Sequence, residues 1–276
     1  MHYRLRLLGG FELRDDSAAI TLPPSTQRVI AYLGLHDHPV SRVSVAGNLW
    51  LDSPDRQALA NLRSSIWRLR QAATDLVRAN GEQLGLDDGV RVDVREVTEH
   101  ARAVIDGAVP SLGGALTDIE SAAVLLPDWY EDWALLERER FRQLRLHAME
   151  SLCVQLTYAR RYARAAEVGL LVVGDEPLRE SAHRALMQVH LAEGNLGEAL
   201  RQYAAYERVM REDLGLGPSR QMLDLVATVR SNAREATDGD DMVTVEDDTR
   251  AAWHDPSSQS PTPSSERELL RSARTR

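Results

Sequence analysis

The chain contains no lysine. All 33 of its basic residues are arginine, so each cation is a planar fork of donors shaped for carboxylate or phosphate. An arginine-only set is the mark of a GC-rich genome, and it also rules out a GxxxxGK[ST] phosphate loop. Cysteine is nearly absent: Cys153 stands alone at a core-like helical position, which excludes a disulfide framework and fits a reducing cytoplasm. Long apolar runs are missing too. GLLVVG at 169–174 is far too short to span a bilayer, and MHYRLRLLGG alternates Arg with Leu instead of holding the apolar stretch of a signal peptide. No membrane partner is expected.

Reactive constellations are equally scarce. There is no GxSxG elbow for a hydrolase nucleophile. His36 and His38 flank a loop, but no second His or Cys cluster has the spacing to complete four metal positions. Asp87-Asp88-Gly89 is too short for a calcium loop and reads as a turn. The expectation is therefore a protein without cofactor, metal or catalytic activity. The net charge of −9 is unevenly spread: residues 1–100 carry 12 Arg against 13 acidic residues, and the excess of acid lies beyond them. A non-specific DNA coat, which needs a broad positive field, is disfavoured.

What is present is a sequence of short elements followed by long helices. Tyr3, Leu5 and Leu7 alternate with Arg4 and Arg6; Gly9-Gly10 and Asp15-Asp16-Ser17 punctuate Phe11, Leu13, Ile20 and Leu22. This predicts a small antiparallel meander. Pro23-Pro24 opens a helix through Val29, Ile30 and Leu33 that stops at Asp37-His38-Pro39, and a second short helix follows with Ser41 as its N-cap and Val40 stapled to Val45.

The third helix is the informative one. Ser53 as N-cap with Pro54 in the first helical position predicts a helix to Ala73. Leu59, Leu62, Ile66, Leu69 and Ala73 form an inward stripe; Gln57, Asn61, Ser64, Arg68 and Gln71 fall opposite, where amides, hydroxyls and a guanidinium can meet base edges and phosphates; Arg56, Arg63, Trp67 and Arg70 lie between. Alone, this pattern also fits an ordinary amphipathic surface helix. Its neighbours decide. Asn80-Gly81 predicts a tight hairpin turn between Leu76-Val77 and Leu84-Leu86, and Asp87-Asp88-Gly89 turns the chain into Val90 and Val92. Sheet, three helices and hairpin make a winged helix-turn-helix, whose third helix enters the major groove while Arg78 and Asn80 at the wing meet an adjacent backbone or minor groove.

From Val94 to about Ala233 the pattern is helical. Ala159 and Ala166 recur as Ala192 and Ala199, each pair bracketing a turn at 160–164 or 193–197, a period near the tetratricopeptide length; a simple helical bundle is the other reading. Trp129 and Trp133 read as core anchors, and Glu137-Arg138-Glu139-Arg140 as a solvated helix face. Residues 234–276, with DGDD, EDD and PSSQSPTPSSER, read as a disordered acidic and Ser-Pro tail. The expected fold class is mainly α: an α+β winged helix-turn-helix over 1–94, an all-α tetratricopeptide-like region over 95–233, then the tail.

The chain resembles the Streptomyces antibiotic regulatory protein (SARP) family, activators that join an OmpR-like DNA-binding domain to a bacterial transcriptional activation domain. The resemblance rests on LRLLGGFEL at 5–13, Val40-Ser41 before Leu49-Trp50, ANLRSSIWRLR at 60–70 and Val92-Asp93. Further along it rests on LLPDWYEDWALLERERFRQLRLHA from Leu125, DEPLRESAHRALMQVHLAEGN from Asp175 and EDLGLGPS from Glu212. It implies binding to short direct repeats of double-stranded promoter DNA near the −35 element and recruitment of RNA polymerase holoenzyme through sigma factor and other subunits, in control of a secondary-metabolite cluster such as antibiotic biosynthesis. It carries DNA contact onto Asn61, Arg63, Ser64, Ser65, Trp67, Arg68 and Gln71. Trp67 sits where many members have a small polar residue, which leaves open stacking on a sugar or thymine methyl and packing beneath the wing. The near-neutral charge of the first hundred residues points to help from a homodimer, from tandem binding on direct repeats, or from polymerase. No receiver domain precedes Tyr3, so phosphorelay input is not expected. The alternative function is a helical-repeat adaptor whose winged helix contacts only protein.

Overall fold

The computed structural model describes residues 3–16, 18–107 and 114–240. Residues 241–276 of the expected tail lie outside the described residues, as do residues 108–113 of the helical stretch. The architecture is mainly helical with a small sheet region at the N-terminal end. The described residues up to Glu235 make one compact unit; the expected boundary after residue 94 falls inside it.

Two three-stranded sheets frame the N-terminal part. In one, β1 (Arg4–Arg6) pairs antiparallel with β2 (Glu12–Arg14) and parallel with β6 (Arg91–Val92), giving the order β2-β1-β6. The first pairing matches the predicted meander. The second carries no local signal, because its partner strand is only two residues long and lies far along the chain. Leu13, Leu5 and Val92 form one inward row across the three strands, all buried. In the other sheet β3 (Val40–Ser41) joins the hairpin of β4 (Val77–Asn80) and β5 (Gln83–Leu86) in the order β3-β5-β4. Asn80 pairs with Gln83, so the turn residues are Gly81-Glu82, one position later than predicted, with Gly81 alone at positive φ (57°).

α1 (Pro24–Leu35) begins with proline in its first turn, where the missing N–H has no cost. Thr26 and every residue from Val29 to Gly34 are buried. A Cβ on Gly34 would stand 2.7 Å from Leu5 Cδ2 and 3.3 Å from Leu7 Cδ1, so only glycine lets the helix sit this close to the β1 sheet. On its other side α1 packs on α3 (Asp55–Ala72), and α2 (Arg42–Leu49) completes the trio. Ser41 caps α2 as expected, its Oγ accepting from Ser44 N at 3.0 Å.

The helical part runs through α4 (Asp93–Ile105), α5 (Gly114–Ser121), α6 (Asp132–Tyr158), α7 (Tyr162–Asp175), α8 (Glu180–Glu193), α9 (Leu196–Leu214) and α10 (Arg220–Asp240). α10 extends helix over 234–240, where tail was expected. Consecutive helices from α6 to α9 pack as hairpins. The turn at 194–195 lies inside the predicted 193–197, while that at 159–161 starts one residue before the predicted 160–164 and is shorter, because α7 already begins at Tyr162. Gly194, at φ 88°, closes α8 in the left-handed conformation. Cys153 is buried, and burial pushes its thiol up to about 11.

The two parts share a core that runs without break from Tyr3 to Val189. Phe11 stacks on Trp129 with centroids 6.1 Å apart, Trp129 meets Trp133 edge-on, and Trp133 meets Tyr32 of α1 edge-on at 5.5 Å. Polar sutures reinforce the seam. Asp93 accepts from the amides of Leu7 (2.9 Å) and Leu8 (3.0 Å), and Arg95 donates to the carbonyls of Leu33 and Gly34 (both 2.8 Å) and of His36. Arg138, expected on a solvated face, instead donates to Leu125 (2.8 Å), Leu126 and Trp129 (2.7 Å), whereas Arg140 keeps an intrahelical pair with Glu137. Leu126 is fully buried at φ 42°, a strained conformation for leucine that these bonds and Leu126 N to Leu7 O (2.9 Å) hold in place.

A second, smaller core joins α8 to α10 around Tyr206 and Met222. At its edge His183 Nε2 lies 2.9 Å from the Pro177 carbonyl and Gln202 Nε2 lies 2.7 Å from its Nδ1. One neutral tautomer satisfies both: Nε2–H donates, Nδ1 accepts. Burial pushes the His183 pKa below its ordinary 6.5, outweighing the Pro177 carbonyl and Glu180. The unfolded chain then binds a proton more readily than the fold, so stability falls as pH drops through that ordinary value. Melting temperature should decline between about pH 7.5 and 5.5, and His183→Gln should flatten the decline. An unchanged slope in the variant would contradict this.

Candidate nucleic-acid interface

α3 is longer than its neighbours α1 and α2 and carries the only acid of its first turn, Asp55, and a last-turn arginine, Arg70, both favourable to its dipole. Its N-cap is Pro54, not Ser53. The Ser53 amide is committed to a turn with the Trp50 carbonyl at 3.0 Å, and the amides of Gln57 and Ala58 reach back to Pro54 O. Ala58, Leu62, Ile66 and Leu69 are buried, Leu59 is half-buried and Ala73 caps the end, so the predicted seam faces α1 and α2.

Ser65 is the correction on this helix. It is only 1% exposed, three residues after Leu62 and four before Leu69, and its Oγ finds no hydrogen-bond partner. A side chain at that angle packs into the protein and cannot reach a duplex. Asn61 is half-buried and accepts from Gln57 Nε2 at 3.1 Å; Ser64 is exposed and donates to Ala60 O at 3.0 Å; Arg63, Trp67, Arg68 and Gln71 are exposed. Trp67, at 63% exposure, does not pack beneath the wing.

Two strips emerge on the outer surface. Gln57, Asn61, Ser64, Arg68 and Gln71 form the polar crest. Arg56, Arg63 and Arg70, at intervals of seven, run along its flank with Trp67 among them. Arg56, Arg63, Arg68 and Arg70 pair with no carboxylate among the described residues, although most arginines of the helical part do. Positive charge is thus concentrated on one helix face inside a nearly neutral segment. Arg56 and Arg70 share this flank with Arg63 although they fall outside the contacts that the resemblance implies.

The wing is electrostatically different. Arg78 lies opposite Gly85 within the hairpin, two residues short of its tip, and is bound to Asp87 at 2.7 Å and to Asp88. Those carboxylates raise the Arg78 pKa, Asp88 first, and Asp87 also accepts from Gly89 N at 2.9 Å. Arg78 is therefore partly neutralised by its own turn. Asn80 stays exposed at the tip, and Arg42, at the start of α2, ties down the turn through Gly81 O (3.2 Å) and Glu82 O (2.8 Å). His36 and His38 meet edge-on with His38 paired to Asp37; among the described residues no group of three or more His, Cys, Asp or Glu is placed to hold a metal, and no helix is long and apolar enough to cross a membrane.

Residues 82–230 match the family described as Bacterial transcriptional activator domain. The chain belongs to this family. Its members are transcriptional regulators, in keeping with the SARP resemblance, and the match begins within the hairpin. Two similar proteins are the Regulatory protein AfsR of Streptomyces griseus, 30% identical over 202 residues (67% of this chain, 20% of that protein), and of Streptomyces coelicolor, 30% identical over 230 residues (77% and 22%). The chain spans about a fifth of the length of these relatives. Among solved structures, Mycobacterium tuberculosis EmbR in complex with a low affinity phosphopeptide aligns with a TM-score of 0.62 at 19% identity, covering 88% of this chain and 70% of that one. That likeness shows a shared fold.

Ser65 yields a direct test of the α3 orientation. A buried hydroxyl without a partner costs stability, so Ser65→Ala should melt at the same or a higher temperature than the parent and bind DNA equally well. A loss of DNA affinity with the fold intact would return Ser65 to the interface.

Proposed function

We propose that this regulator is a sequence-specific activator that sets α3 in the major groove of direct repeats near a −35 element and recruits RNA polymerase holoenzyme. The observation that carries this reading is the outer face of α3: four arginines with no carboxylate partner among the described residues beside a crest of three amides and the Ser64 hydroxyl, on a helix held rigidly by its buried seam. Arginine fits guanine edges and phosphates, and the amides fit adenine. Arg63 and its flank partners contact phosphates; Asn61, Ser64, Arg68 and Gln71 read bases; Trp67 stacks on a sugar or a thymine methyl. Asn80 at the wing tip meets the backbone, with Arg78 a weak contributor because Asp87 and Asp88 hold it.

Within this one body, residues 1–94 take the DNA-binding role and 95–233 the activating role, through sigma factor and other polymerase subunits. Tandem or dimeric binding on direct repeats adds the affinity that a near-neutral domain lacks. Control of a secondary-metabolite cluster and a cytoplasmic location complete the proposal. The competing adaptor reading could use the four arginines for carboxylates of a protein, but it gives no role to the crest of Gln57, Asn61, Ser64 and Gln71 beside them, which suits base edges.

Binding to promoter fragments neighbouring its own gene, measured across salt, is the test. Neutralising about three phosphates per protomer, through Arg56, Arg63 and Arg70, gives a log–log salt slope of roughly −3. Arg68→Ala should cost about 1–3 kcal/mol and relax preference at one base pair, whereas Arg63→Ala should weaken all sites alike and reduce the slope by about 1. Absence of DNA affinity at low salt would favour the adaptor.

A further inference from the structure

The outer face of the β2-β1-β6 sheet carries an unusual row. The register sets Arg4 directly opposite Arg14 on one side and Arg91 on the other, so three arginines stand abreast above the buried row of Leu13, Leu5 and Val92. Like charges directly opposed across strands are destabilising. Two glutamates relieve the margins: Glu12 pairs with Arg6 at 2.9 Å and Arg14 at 3.1 Å, and Glu96 pairs with Arg91 at 2.7 Å. Arg4, in the middle and exposed, has no carboxylate among the described residues. Arg4, Arg6, Arg14 and Arg91 line a depression of about 270 Å³ together with three carboxylates that are already committed, Glu12 and Glu96 to the marginal arginines and Asp93 to the Leu7 and Leu8 amides.

We infer that this row is a docking site for a carboxylate-rich helix of a partner protein. Arginines on neighbouring strands stand about 5 Å apart, close to the spacing of about 5–6 Å between acidic side chains three or four apart on a helix. Arginine and carboxylate meet fork to fork, and Arg4 is the vacant fork. A DNA strand is the poorer occupant. α1 lies between this sheet and α3, so the arginine row and the proposed reading face look out from opposite sides of that helix. The site goes beyond DNA recognition and does not depend on it.

The test uses the full chain and a labelled 16-residue alanine-based helical peptide with Glu at every fourth position, with Gln in place of Glu as the uncharged control. Anisotropy at low salt should show binding of the Glu peptide and none of the Gln peptide. Arg4→Thr with Arg14→Thr should weaken the Glu peptide by at least about tenfold, with an unchanged or raised melting temperature because the row repels itself. Arg63→Ala with Arg68→Ala on α3 should leave peptide binding unaltered. Arg4→Gln alone gives the same reading should the double variant fail to fold. Three results would overturn the inference: no binding of the Glu peptide by the parent, equal binding by the sheet variants, or loss that follows the α3 variant. A sheet variant that loses DNA affinity by the same factor would make the row a DNA-backbone contact and also overturn it. Titration of the parent with DNA is a separate arm, so failure of the α3 reading is scored independently.

Discussion

The structure depends on one helix having no free side. α1 is buried on the sheet through Gly34 and packs on α3, and the carbonyls of Gly34 and of His36 just beyond it need an outside donor, since the local bond from His36 N reaches only Leu33 O. Arg95 from the first turn of α4 is that donor. Its guanidinium is half-buried, and burial pulls its pKa down while Asp37 and Glu99 oppose the shift. Asp93, two residues earlier, holds the end of β1 by its amides. The first turn of α4 thus closes the N-terminal layers and opens the helical body in a single stroke, so the region that presents α3 and the region that continues to α9 cannot be separated at residue 94 without leaving both unsatisfied.

That joint has a functional consequence. Were the two parts hung on a linker, contact of α3 with DNA would place the helical surface only loosely. Here the Phe11-Trp129-Trp133-Tyr32 chain of aromatics and the Arg138 clamp on 125–129 fix the start of α6 against α1. On the function proposed above, a duplex held on α3 would orient α6 to α9 as a rigid arm at a fixed distance from the bound site. The strain at Leu126 persists for the same reason: the seam over-determines it.

Local chemistry announced much of this in the sequence. Proline before α1, serine before α2, the apolar stripe of α3 and the small residues at the hairpin turns of the helical part each act within a few residues. What escaped acts at a distance. The β1–β6 pairing joins residues some ninety positions apart, and Arg95 and Arg138 look like surface arginines until tertiary structure delivers carbonyls to them. The burial of Ser65 is legible in its place between Leu62 and Leu69 on the inward arc; the family resemblance, carried across the whole helix, includes it among the contacts regardless of that angle. Arg78 was assigned by its hairpin position alone, while the turn at Asp87-Asp88 that neutralises it sits just across the register. The α3 face itself was readable because amphipathic spacing is local; that its arginines lack partners could be learned only from the fold.

The most direct measurement is hydrogen exchange by mass spectrometry across a denaturant series, comparing segments of α1 and α3 with segments of α6 to α8. One shared core requires both sets to lose protection at a single midpoint. Two separated midpoints, with α1 and α3 opening while α6 to α8 stay protected, would contradict it.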